Sequence, residues 1–449
     1  MKRKLTIICL IIASVITAQE SEKKSFSFTL QQAIDHAIEN NYTAINAKRD
    51  IEAAKQKKWE TTASGLPQIT SNVQYLNNLD FQVQGVSGNA FNPGGDPNAI
   101  TTIAFGTKHS MNASATLSQL IFDGSYIVGL QSAKVYLQIS ENAKEKTDLE
   151  IREMVTNAYG NVLLARESVL IFEKNKATLE KTLFETNETF KNGLTEEENV
   201  EQLQITLTQL TSSLSNAKKR EEIALNLLKI SMGIDINNEV ILTEKLDDLA
   251  TSNVDLAALN EQFDANNSID FKIQKNNEES KRLLLKLERF RALPTIGAQL
   301  NYGANTFANR FDFLTTDQKW YNYSNFGVNI SLPIFSSFRD RARTQQAKIV
   351  FEQAKTQVTE TEQRLKLQYQ QAKTDYEFSI EQYGASKSNL KLAERIEAKQ
   401  QVKFKEGLST SFEFTEAQRQ LYTAQQNYLQ AMIDVMNKKA TLDKLTNKK

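Results

Sequence analysis

Two hydrophobic periods alternate along the chain, and the alternation happens twice. Leu30, Ala33, Ile34, Ala37 and Ile38 recur at i, i+3 and i+4, the face of an amphipathic helix. Thr29 and Gln32, just before and inside it, have capping-box spacing. After Asn40-Asn41-Tyr42 a second helical stretch, rich in Ala, Lys, Glu and Gln, runs to about Thr62. At Gly65-Leu66-Pro67 the period drops to two. Gln68, Thr70, Asn72 and Gln74 then face one way and Ile69, Ser71, Val73 and Tyr75 the other, which predicts a strand with one polar and one largely apolar face. A loop is expected from Asn77 to about Lys108, with Asn92-Pro93-Gly94-Gly95-Asp96-Pro97 as its turn chemistry. Alternation resumes at Ser110 and ends at Ile121-Phe122. An amphipathic helix follows from about Ser125 to Thr189, which at 1.5 Å per residue is roughly 95 Å long. Gly193 turns the chain, and a second helix from about Glu196 to Ile230 is broken by Gly233 and Asp235.

The same order then returns. A helix is expected from about Val254 to Arg291, and Leu293-Pro294 repeats Leu66-Pro67. A strand starts at Thr295, a shorter aromatic loop spans about Ala304 to Asn322, and a fourth strand sets Phe326, Val328, Ile330 and Leu332 against Gly327, Asn329 and Ser331. A helix of about 65 residues reaches Gly407, and a last one runs to about Leu445. Phe190-Lys191-Asn192-Gly193-Leu194 and Phe404-Lys405-Glu406-Gly407-Leu408 are near copies 214 residues apart. The chain therefore divides into a leader over 1–19, a first structural repeat over 20–235 and a second over 236–449. Strands fall at about 66–76, 110–121, 293–303 and 325–334.

Four strands of about ten residues with alternating polarity have the length and pattern of membrane-spanning strands. Four cannot close a barrel, and lipid does not tolerate an open edge. Three chains would supply 12 strands, enough to leave an aqueous lumen. Asn72, Gln74, Asn112, Ser114, Gln299, Asn301, Asn329 and Ser331 would line it. Tyr75, Phe81, Tyr302, Trp320, Tyr321 and Phe326 are expected near strand ends, where interfacial aromatics belong. The apolar faces of the long helices are too narrow for a globular core and suit coiled-coil packing. The expected fold class is mainly α with a membrane β-barrel: a trimeric, 12-strand barrel continuing into a long α-helical tunnel. Pro67, Pro294 and Pro333 mark the joints, where a missing donor is tolerated because the pairing mode changes.

Composition narrows the chemistry. Lys+Arg and Asp+Glu are both 54, so no net charge draws the chain to nucleic acid. Five prolines and 16 glycines are few for 449 residues, as long helices require. Lys2-Arg3-Lys4, the apolar run Leu5 to Ile16 and Thr17-Ala18-Gln19 read as a secretory signal peptide cleaved between Ala18 and Glu20. Cys9, the only cysteine, would leave with it, so no disulfide or thiol chemistry is expected. His36 and His109 sit on different elements, which makes a metal site improbable. No cofactor motif and no catalytic constellation stand out.

These features resemble the TolC family of outer-membrane efflux proteins. The resemblance rests on Phe28-Thr29-Leu30-Gln31-Gln32-Ala33-Ile34-Asp35-His36-Ala37-Ile38-Glu39-Asn40-Asn41, on Gly65-Leu66-Pro67-Gln68-Ile69, on the doubled Phe-x-x-Gly-Leu tips and on the ending from Ala417 to Ala440. It implies a homotrimer in the cell outer membrane whose tunnel extends into the periplasm, with an equatorial domain from about Gly233 to Asn253 and the chain ends. It implies docking of a periplasmic adaptor (membrane fusion) protein at Gly193, Leu194, Gly407 and Leu408, and through the adaptor an inner-membrane pump. Glu413 and Glu416 match the acids that constrict the pore. Thr410 and Glu413 also have capping-box spacing, which leaves a helix-cap role open. Asn199 and Phe404 depart from the family at the positions that tie the tips shut, so that tie is not expected here; Glu196, Glu197, Glu198 or Glu201 with nearby lysines are the alternative. The implied function is an exit duct for tripartite efflux or type I secretion, not an enzyme, with cargo chosen by the pump. The rival reading is a secreted or surface coiled-coil structural protein without a pore.

Overall fold

In the computed structural model the structure describes residues 25–90, 93–311, 313 and 318–448. The expected leader with Cys9, and Asn92 of the expected turn, lie outside the described residues. The chain forms two compact units, and each takes segments from both halves of the sequence.

One unit, Ile51–Ser140 with Gln274–Val358, is built on a sheet. Its strands β2 (Gln68–Asn77), β5 (His109–Phe122), β7 (Thr295–Ala308) and β8 (Tyr321–Ser331) are antiparallel and adjoin in the order β2-β5-β7-β8. The register carries the expected alternation across all four strands. Ile69, Leu117, Leu300 and Phe326 lie in one row, and Thr70, Thr116, Asn301 and Asn325 in the next. Most polar residues thus fall on one face and most large apolar ones on the other, with Leu76, Leu120 and Phe307 among the exceptions on the polar side. On the polar face the Asn112 amide donates to Asn305 Oδ1 at 2.6 Å and to the Tyr323 hydroxyl at 2.9 Å. The apolar face is bare: Ile69, Val73, Phe326, Val328 and Ile330 are all more than half exposed.

Three expectations change here. Strands β3 (Val83–Ser87) and β4 (Ile100–Ala104) pair within the stretch expected to be a loop. Their alternation lasts only five residues each, too short to stand out from turn sequence. Strand β8 begins at Tyr321 rather than near Asn325, so Phe326 sits at mid-strand rather than at an end. Tyr302 is likewise central in β7. Tyr75 does lie at a strand end, where its hydroxyl bonds His109 Nδ1 at 2.8 Å and its ring meets Phe311 and Phe313 edge-on.

The other unit holds residues up to Asp50, Glu141–Ile273 and the chain from Thr359 on. Helix α1 (Leu30–Asn40) starts with the complete Thr29–Gln32 capping box. Strand β1 (Ser25–Phe28) pairs in parallel with β6 (Glu239–Leu242), an interaction between residues about 214 apart that local periodicity does not announce. Around this pair packs the largest core. Tyr159 is fully buried and donates to the Phe28 carbonyl at 3.1 Å, and burial pushes its phenol up to about 12. Helix α5 (Leu246–Ser252) precedes two 3-10 turns, and α6 (Ile269–Phe290) starts fifteen residues later than the expected Val254. Asp255 and Asp264 cause the delay, because each side chain binds the backbone N–H two residues ahead and closes a turn instead. The remaining helices are α2 (Tyr42–Ala63), α3 (Gly124–Lys191), α4 (Glu197–Met232), α7 (Arg339–Lys405) and α8 (Ser411–Thr446).

Gly233 caps α4 at φ +73°, and a Cβ there would lie 2.1 Å from the Asn40 carbonyl oxygen. Gly193 has φ +72° but nothing within 4 Å. Gly193→Ala should therefore cost about 1 kcal/mol for the left-handed backbone alone. Gly233→Ala should cost clearly more, about 3 kcal/mol, because backbone must also move. Thermal unfolding of the two variants checks the difference.

Candidate functional site at the paired helix tips

Both tips end in the same cap. Leu194 N donates to Thr189 O at 3.1 Å and Gly193 N to Phe190 O at 2.8 Å; Leu408 N donates to Lys403 O at 2.8 Å and Gly407 N to Phe404 O at 3.1 Å. This is the Schellman pairing, with glycine in the left-handed position. Gly407 has φ +69° and, like Gly193, open space around it. The cap therefore explains the glycines. It leaves the leucines unexplained, since Leu194 and Leu408 are each 77% exposed, as Schellman leucines packed on their own helix would not be.

Above the caps, α3, α4, α7 and α8 share an apolar cluster. Leu179, Leu203 and Phe414 are fully buried, with Leu210 and, at the margin, Leu183, Leu207 and Tyr422. Phe404 stacks on Phe414 with centroids 5.2 Å apart and rings 8° from parallel. Phe404 thus joins the cluster through its ring, partly buried against Phe414.

The two tips are tied within the chain, but not by a bond between Asn199 and Phe404. Asn199 Oδ1 accepts from Ser411 N at 3.1 Å, while its amide donates to Thr195 Oγ1 at 3.0 Å. One side chain so closes the first tip and caps the helix after the second. The ion pair that crosses between tips is Lys405–Glu185 at 3.0 Å, not one made by Glu196, Glu197, Glu198 or Glu201. Farther up, Asn175 donates to Gln425 at 3.0 Å. Ser411 and Glu185 give no sequence signal, because their partners lie in the other half of the chain.

The two acids have different surroundings. Glu413 completes the capping box: its carboxylate accepts from Thr410 N at 3.0 Å, and Glu413 N donates to Thr410 Oγ1 at 3.2 Å. Glu416 is gripped by the Arg419 guanidinium at 2.6 and 2.8 Å and by the Gln420 amide at 3.2 Å. These hydrogen bonds hold its carboxyl at about 2. Arg419, one turn on from Glu416, was not singled out in the sequence, although Glu-x-x-Arg is a helical pair. Glu397 is a third acid at this level, and burial pushes its carboxyl up against a bond from Gln418. Tyr422 is pushed up by the same burial and by Glu397. Among the described residues, no group of three or more His, Cys, Asp or Glu is placed to hold a metal ion. No described helix is long and apolar enough to cross a membrane.

A four-stranded sheet with one bare apolar face and long helices that return in paired capped tips give the chain the fold of solved outer-membrane channels. Residues 251–448 match the family described as outer membrane efflux protein. The fold is that of CusC, at TM-score 0.73 and 16% identity over 93% of this chain and 91% of that one. The Campylobacter jejuni CmeC outer membrane channel matches at TM-score 0.70 and 18% identity over 93% and 85%. The open-state Neisseria gonorrhoeae MtrE channel matches at TM-score 0.70 and 17% identity over 93% and 88%. No curated protein matches by sequence. The resemblance to the TolC-type outer-membrane efflux proteins therefore holds, by sequence for the second half and by fold for nearly all of the described chain.

The raised Glu397 carboxyl has a stability consequence. The folded state holds that proton more tightly than the unfolded chain, so stability is greatest below the unfolded pKa and falls as pH rises through the folded one. Glu397→Gln should raise the melting temperature at pH 7 and remove part of its decline between pH 4 and 7. Melting curves across that range, compared with wild type, test this.

Proposed function

We propose that this protein is the exit duct of a tripartite efflux or secretion system: a homotrimer in the outer membrane whose helical tips meet a periplasmic adaptor coupled to an inner-membrane pump. The observation that carries this reading is the sheet, with a polar face, a bare apolar face and two unpaired edges at β2 and β8. Three copies joined edge to edge satisfy all three features, since a closed barrel turns its apolar face to lipid and its polar face to water. The rival, a coiled-coil structural protein without a pore, needs no such sheet. The exposed Leu194 and Leu408 on identical caps support docking of a partner that covers apolar surface at both tips.

Glu413 and Glu416 are the proposed constriction. Arg419 changes their meaning, because the Glu416 charge is locally balanced and the anionic ring is weaker than two acids per chain suggest. With its carboxyl at about 2, Glu416 stays ionised through mildly acidic pH. The cargo would be chosen mainly by the pump.

Outer-membrane fractionation and planar-bilayer recording test the duct. An outer-membrane fraction with discrete conductance is expected; a soluble product without conductance overturns the reading. In the same recordings Arg419→Gln should raise the cation preference and Glu416→Gln lower it, read as opposite shifts of the reversal potential in a salt gradient. A photo-crosslinker placed at Leu194 or Leu408 in the native host should capture an adaptor, and the same probe at Leu300 should not.

A further inference from the structure

The four joints between sheet and helices all lie at one end of the sheet. Gln68 pairs with Ser118, Phe122 with Ile296, and Thr295 with Ser331. Helices α2 and α6 therefore enter, and α3 and α7 leave, at the same edge of the proposed membrane zone. In segments 55–64, 123–134, 281–291 and 339–348, which flank these joints, Lys and Arg number 13 and Asp and Glu only 4. The whole chain has 54 of each, so this is a local concentration and not a property of the composition. The segments between β2 and β5 and between β7 and β8, 78–108 and 309–320, carry 3 basic and 4 acidic residues.

Part of that charge has no internal partner. Lys57 meets Glu60, Arg291 meets Glu288, and Arg339 and Arg343 share Asp340. Lys58, Arg289 and Arg341 are exposed and make no ion pair among the described residues. Arg339, Arg341 and Arg343 open α7, the end of a helix where cations are disfavoured by the backbone dipole. Beside them stand apolar side chains of interfacial type. Trp59 is 60% exposed, Ile334 91% and Phe335 78%. Ser337 and Phe338 have φ of 52° and 62°, a costly conformation for residues other than glycine. It holds the Phe335 and Phe338 rings edge to face, 6.3 Å apart, outside the sheet.

We propose that this end of the sheet is a collar that binds anionic phospholipid headgroups of the periplasmic leaflet, with the arginines and lysines on the phosphates and the aromatic residues at the acyl boundary. Charge complementarity argues for an anionic lipid over a zwitterionic one. The apolar neighbours argue for a lipid over a free anion, which offers nothing for Phe335, Phe338 and Trp59 to contact. Basic residues beside a membrane attract anionic lipid with an affinity gain of about fivefold per charge. The proposal rests on the outer-membrane reading above, because it needs the sheet to sit in lipid.

The test uses the full chain reconstituted in vesicles of phosphatidylcholine alone or with phosphatidylglycerol, followed by native mass spectrometry of retained lipid and by thermal melting. Wild type should retain phosphatidylglycerol in preference to phosphatidylcholine and melt higher in its presence, with both effects reduced by salt. The variant Lys58→Gln with Arg289→Gln and Arg341→Gln should lose most of that preference while keeping conductance, and the Arg289→Lys with Arg341→Lys variant should keep it. Equal retention of the two lipids by wild type, an unchanged preference in the glutamine variant, or displacement of the lipid by inorganic phosphate would overturn the collar. Failure of the duct reading looks different: no conductance in either vesicle and no outer-membrane fraction.

Discussion

Everything in the sheet unit depends on the pairing of two strand edges. β2 and β8 are the outermost strands, and each offers a row of unpaired N–H and C=O groups. In water such an edge is a hazard; in hydrocarbon each unmet group costs several kcal/mol. The exposed apolar face makes the demand sharper, because Ile69, Val328 and Ile330 have nothing to pack against within the chain. A single copy therefore cannot satisfy both its edges and its face. The proposed edge-to-edge association of copies follows from that constraint rather than from any one motif.

The helical unit answers a different demand. Its long helices are mostly polar, and they bury apolar residues in separate clusters along their length rather than in one core. The cluster at the tips is small, and polar contacts supplement it: Asn199 to Ser411, and Lys405 to Glu185. A junction held by a small apolar cluster and a few polar links is easier to rearrange than a large packed core. The same reasoning keeps stability in the unit elsewhere, around the β1–β6 pair and buried Tyr159.

Much of this was legible in the residues because it is local. The alternation of β2 from Gln68, the Thr29–Gln32 and Thr410–Glu413 capping boxes and the two glycine tips each depend on neighbours within five positions. What was not legible depends on distance. The β1–β6 pair, the Asn199–Ser411 bond and the Lys405–Glu185 bridge join residues more than 200 apart and carry no pattern in either partner alone. A third group was visible but outweighed: Asp255 and Asp264 are ordinary turn formers, yet the helical period around them hid the two turns before α6. The same holds for Arg419, whose spacing from Glu416 is plain once its role beside the acids matters.

The central claim is that β2 of one copy pairs with β8 of the next. Cys9 is the only cysteine, so cysteines introduced along the two edge strands meet little background. Scanning pairs of single cysteines on β2 and β8 for disulfide formation in isolated outer membranes tests the claim directly. The account predicts that one register of pairs yields a covalent trimer, with pairs shifted by one residue linking poorly because their side chains face opposite sides. Absence of any inter-chain link across the full scan, in membranes that hold the folded protein, would contradict it.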